Sequence, residues 1–123
     1  MDEKELKERT KRFALETIEL VDKLPRTVVA QTIGRQFVRA GTSVGANYRS
    51  ACRGRSRAEF AAKLGVVEEE ADESAFWMEV IIEAGLLERA LVQPLLDEAE
   101  EIVAIMVSSR KSLNRSDKLK SRV

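Results

Sequence analysis

Residues 36–60 read "QFVRAGTSVGANYRSACRGRSRAEF", and the fold turns on whether the glycines at 41 and 45 belong to a helix or to a loop. The same stretch holds five arginines, Arg39, Arg49, Arg53, Arg55 and Arg57, with no acidic residue before Glu59. A glycine in a helix interior costs about 1 kcal/mol relative to alanine. Close approach of a neighbouring backbone is the usual compensation. At i and i+4, Gly41 and Gly45 lie on one helix face with Thr42, Ser43 and Ala46 nearby, so a second helix can come close where larger side chains would hold it off. The alternative is a phosphate-cradling loop, but "GTSVG" lacks the Gly-Lys-Ser/Thr ending of a nucleotide P-loop. Helix packing is the reading adopted.

Working outward, four segments carry apolar residues at alternating steps of three and four, the helical signature. The first spans about 3–24, with Leu6, Phe13, Leu20 and Leu24 on one stripe, and Pro25 ends it because the residue before proline is biased away from helical geometry. Thr27 caps the second, whose core stripe is Ala30, Ile33, Phe37, Ala40, Val44, Tyr48 and Ala51. "SRAE" then reads as a capping box, Ser56 with Glu59. The third helix follows with Phe60, Leu64, Val67, Ala71, Ser74, Met78 and Ile81 in strict alternation up to Gly85, a C-terminal cap. Pro94 suits the first turn of a fourth, with Leu95, Ala99, Ile102, Met106, Ser109 and Leu113 inward. Short links between amphipathic helices imply an all-α, up-down-up-down four-helix bundle over residues 1–113. Residues 114–123, polar and basic, are expected to form a disordered tail.

Composition narrows the chemistry. A chain of 123 residues is one domain. It has no histidine and one cysteine, so zinc sites, Ser-His-Asp triads and Cys-His dyads are unavailable. No cofactor motif is present, and the expectation is a protein that is not an enzyme. A catalytic pair of carboxylates would have only Glu70 and Glu73 to draw on, and a divalent cation only the glutamates around them, without a metal-loop pattern. The N-terminus lacks a signal peptide's apolar core and no apolar run reaches membrane-spanning length, so the expectation is a cytoplasmic protein with no membrane partner.

Formal net charge is zero, yet the charges segregate. Residues 1–33 balance, 34–63 carry seven positive and one negative, 64–101 carry one positive and twelve negative, and 102–123 carry six positive and one negative. Arg35 with Arg39 and Arg49 with Arg53 are i,i+4 neighbours of like charge, which repel. Arg57 sits in a first helical turn, against the helix dipole. Such frustration suits an anion, and arginine's planar fork binds phosphate bidentately. The competing reading is a solvated face, or pairing of these arginines with "EEEADE" (residues 68–73), within the bundle or between subunits. On the third helix Val66, Trp77, Val80 and Ala84 lie off the main stripe. Trp77 belongs in the core of a small bundle; exposed beside Val80, it would mark a subunit interface.

"QFVRAGTSVGAN" followed by "AEFAAKLGVVEEEADESAFWMEVIIEAGLL" resembles the bacterial four-helix-bundle proteins named for reading frames in 23S ribosomal RNA intervening sequences, a superfamily shared with the accessory variability proteins of diversity-generating retroelements. The likeness is carried by Arg39, Gly41, Thr42, Ser43, Gly45, Ala46, Asn47, Phe60, Leu64, Glu70, Ala71, Glu73, Trp77 and Glu79. It implies a left-handed antiparallel bundle assembled as a homopentamer, without enzymatic activity. Accessory members bind nucleic acid and a reverse transcriptase through a basic surface, so RNA or DNA, a reverse transcriptase or another protein are the partners implied. After Asn47 the pattern's usual Ile-Ala-Glu-Gly reads "YRSA", which makes this corner more basic.

Two functions follow as expectations. One is a nucleic-acid-binding assembly in which Arg39, Arg49, Arg53, Arg55, Arg57 and Lys63 contact phosphates. The other is a protein scaffold or adaptor whose charged faces serve assembly. Gly41, Ser43, Gly45, Asn47, Glu70, Glu73 and Trp77 are assigned to helix packing or a subunit interface.

Overall fold

The computed structural model describes residues 1–121, with side chains through Ser116, as four helices: α1 (Glu3–Asp22), α2 (Val28–Cys52), α3 (Arg57–Glu83) and α4 (Arg89–Ser121). No strand occurs among the described residues. Helix starts follow the side-chain acceptors. Asp2, Thr27 and Ser56 each hold extended backbone and accept from the amide three residues on, at 2.8, 3.1 and 3.1 Å. Glu59 completes the α3 cap by accepting from the Arg55 amide at 3.2 Å, one residue upstream of the Ser56 amide that the capping-box pattern names. α3 ends in a Schellman turn. Gly85 takes φ +70°, its amide reaches the Ile82 carbonyl, and the Leu86 amide reaches Ile81.

The stripes converge on one core. Phe13, Phe37, Leu64, Met78, Ile102 and Met106 are all under 2% exposed, each contributing roughly 1.5–3 kcal/mol by burial. Ile33, Phe60, Ser109 and Leu113, expected inward, are only half-buried. Val92, Leu96 and Ala75 are buried beyond expectation.

The structure departs from expectation at three points. Pro94 is not in the first turn of α4 but inside it, because the helix already begins at Arg89, four residues past Gly85. Leu91 bonds back to the Glu88 carbonyl at 3.0 Å and opens the helix without proline's help. Trp77 is neither fully core nor exposed: it is half-buried, and the exposed aromatic is its neighbour Phe76. At the other end α4 runs across the expected boundary at 113 as far as Ser121, while residues 122–123 of the expected tail lie outside the described residues.

The glycine reading holds. Gly41 and Gly45 are inside α2, where a Cβ on Gly41 would stand 2.5 Å from the Thr17 hydroxyl oxygen and one on Gly45 would stand 3.0 Å from the Thr10 carbonyl oxygen. The two threonines fill the α1 stripe where no apolar residue stands, and both are fully buried. Each hydroxyl donates to the carbonyl four residues back at 2.8 Å, Thr10 to Leu6 and Thr17 to Phe13, so neither is left unsatisfied.

Candidate nucleic-acid interface

Three helix pairs are stitched by arginine and carboxylate. Arg9 of α1 grips Glu98 of α4 through Nε at 2.6 Å and Nη2 at 2.7 Å, and reaches Glu101 at 2.5 Å. Arg110 of α4 holds Glu68 of α3, with Nε at 3.1 Å. Arg39 of α2 spans to α3, its Nη1 3.2 Å from Glu70 and its Nη2 2.5 Å from Glu73. The Trp77 indole donates to that same Glu73 oxygen at 3.1 Å. Burial alone would raise the Glu73 carboxyl, but the indole and Arg39 outweigh it and hold it below the usual range. The hydrogen bond to Glu73, helped by the charge of Glu70, raises Arg39 above its ordinary value in turn.

Arg39, assigned as a phosphate contact, is thus engaged by carboxylates while its side chain stays 49% exposed. A guanidinium in the middle of α2 faces α3 carboxylates three residues apart, and these occupy it. The pairing with "EEEADE" is thus real, and it takes up Arg39. Of the residues assigned to helix packing or a subunit interface, the two glycines meet another helix, whereas Ser43 and Asn47 bond within α2 itself. Gly41 and Gly45 abut α1, Ser43 donates to the Arg39 carbonyl at 2.6 Å, and Asn47 donates to the Ser43 carbonyl at 2.9 Å. Glu70, Glu73 and Trp77 complete the α2–α3 network.

The α1–α2 seam is built differently. No ion pair joins these two helices among the described residues. Instead Lys4, Lys7 and Lys11 of α1 line a groove whose other wall carries Arg49 and Arg53 of α2, with Ala14, Thr42, Gly45 and Ala46 also lining it. Glu8 is the one carboxylate in the lining. Lys7 pairs along its own helix with Glu3 at 3.2 Å. All five cations are exposed. Close approach at Gly45 is the cause of this convergence: it seats α2 on the α1 backbone at Thr10 and Lys11, so Arg49 and Arg53, one and two turns on, run beside the lysines.

The remaining basic residues lie elsewhere. Arg55 and Arg57 line a shallow recess at the α2–α3 turn with Cys52, Phe60 and Leu113. Lys63 is half-buried on α3, outside both the groove and the recess. Burial pushes the Cys52 thiol up, consistent with its packing against the core as a small apolar residue. The single expected patch is therefore divided, and its best-formed part includes three lysines that the sequence reading passed over. Their signal was available: steps of three and four place Lys4, Lys7 and Lys11 on one face of α1, but the even charge count of residues 1–33 hid them.

The comparisons agree with this architecture. No curated protein matches the chain. A crystal structure of a protein of unknown function from the S23 ribosomal protein family of Bacteroides thetaiotaomicron VPI-5482 is similar to it, with a TM-score of 0.81 and 30% sequence identity over 90% of this chain and 99% of that one. The family model for 23S rRNA-intervening sequence proteins matches residues 2–108, which include all of α1, α2 and α3 and most of α4. The chain thus belongs to the family of 23S rRNA-intervening sequence proteins.

Proposed function

We propose that this protein is a non-catalytic, oligomeric helical bundle of the cytoplasm that binds the backbone of RNA or DNA through the basic surface at the C-terminal end of α2. One observation carries the reading. Arg49, Arg53 and Arg55 are exposed within two turns of one another with no ion pair holding them among the described residues, whereas Arg39 on the same helix is neutralised. Antiparallel order is part of the proposal. It is supported by Gly34 beside Leu24, Gly41 beside Thr17 and Gly45 beside Thr10, positions that rise along α2 as they fall along α1. Homopentameric assembly enters from the family likeness.

Binding of labelled RNA and DNA across a salt series tests the function. Affinity should fall steeply with salt, the logarithmic slope growing by roughly 0.9 per phosphate neutralised on duplex DNA. A flat titration, or no binding at low salt, overturns it.

A second reading, a scaffold or adaptor, has its own support. Phe76 is 53% exposed and shares a shallow pocket with Val80, Glu79 and Glu83, an apolar spot with an acidic border. Replacing Arg49, Arg53 and Arg55 by glutamate separates the two. Intact oligomers that no longer bind nucleic acid favour the first reading; disassembly seen by mass in solution favours the second.

A further inference from the structure

We infer that the groove between α1 and α2 is a track for duplex nucleic acid, held through its phosphates by Lys4, Lys11, Arg49 and Arg53 and reading no base. This rests on the nucleic-acid reading above and specifies the surface and the form of ligand.

Three observations carry it. Like charges face each other across this one seam while the other three helix pairs are stitched by opposite charges, so the fold tolerates here a repulsion it avoids elsewhere. Within the seam Lys4, Lys11, Arg49 and Arg53 have no ion pair among the described residues; Glu3 engages Lys7, and Glu8 offsets one further charge. The second observation is spacing. Lys4 to Lys11 is seven residues, about 10 Å of helix rise, comparable with the three steps of roughly 3.4 Å along the duplex axis that separate the first and last of four successive phosphates of one strand. The third concerns what the groove lacks. Among its lining residues there is no aromatic side chain. Single-stranded nucleic acid is ordinarily held by bases stacked on aromatic rings; a duplex keeps its bases stacked internally and offers the denser line of charge. A floor of glycine and small side chains lets the backbone come near both rows of cations.

The test is fluorescence anisotropy with the full chain, using a duplex of about 20 base pairs, in DNA and RNA forms, and its single strand. The expected result is duplex bound at least tenfold more tightly than single strand. In Lys4→Gln/Lys11→Gln, duplex affinity should fall more than tenfold and the logarithmic salt slope by about 2, with an unchanged melting temperature. Arg39→Gln, outside the groove, should bind as wild type. If the lysine variant binds normally while the Arg49, Arg53 and Arg55 glutamate variant does not, the groove is overturned and the function stands. If single strand binds as tightly as duplex, the choice of ligand form is overturned. If the wild type binds neither at low salt, both readings fall.

Discussion

Gly41 and Thr17 occupy one another's space: a Cβ on the glycine would lie 2.5 Å from the threonine hydroxyl oxygen and 2.6 Å from its methyl carbon. Threonine is β-branched and stiff at χ1, so it cannot swing aside. Its hydroxyl is also committed to the Phe13 carbonyl. Gly41→Ala should therefore destabilise by about 1–3 kcal/mol as an overpacking change, despite alanine's better helix propensity. Urea denaturation checks it. Adding Thr17→Ala should recover part of the loss, making the pair non-additive.

Gly65 makes the opposite prediction. It too is inside a helix, but a Cβ there meets nothing within 4 Å. Gly65→Ala should stabilise by about 0.5–1 kcal/mol, from propensity and a less disordered unfolded chain. The midpoint of the same denaturation moves up here and down for Gly41→Ala, so the sign alone separates a packed glycine from an idle one.

Glu73 links the α2–α3 network to pH. Its folded-state value is held below the ordinary one by the Trp77 indole and Arg39 against the cost of burial. A depressed carboxylate contributes stability that is complete above its unfolded value, about 4.3 for glutamate, and is lost as pH falls through the folded value. Glu73→Gln should be less stable than wild type at neutral pH. The gap between the two melting temperatures should close on acidification below pH of about 4. A gap that stays constant down to low pH would refute the linkage.

Two arginine clamps should differ in strength. Arg9 and Glu98 are 22% and 24% exposed and meet through two parallel hydrogen bonds, whereas Arg39 is 49% exposed. Arg9→Ala should cost about 1.5–3 kcal/mol, since it strands a partly buried carboxylate. Arg39→Ala should cost no more than about 1 kcal/mol. Chemical denaturation of both variants at moderate salt compares them.

The helices were legible because their signals are local. Caps at Thr27 and Ser56, the stop at Gly85 and the three-four stripes act within one or two turns, and the structure places helix ends within a few residues of them. The start of α4 lies a turn ahead of the one Pro94 suggests, because the residues before the proline already suffice to form helix. The glycine pair was legible as well, since an unfavourable residue repeated on one face demands a neighbour.

Which neighbour it meets is a different kind of question. That Thr10 and Thr17 are the partners depends on how α1 and α2 slide against each other, and one-dimensional spacing carries no register between helices. The same holds for charge. Arg39 and Arg49 are alike along the chain, yet one faces Glu70 and Glu73 of α3 and the other shares a groove with lysines of α1. Sequence alone therefore determined the rods, their ends and their apolar faces, because those follow from backbone geometry within a few residues. Tertiary structure alone decided which cations are neutralised and which gather into a groove, because Coulomb interactions depend on distances that only helix packing sets.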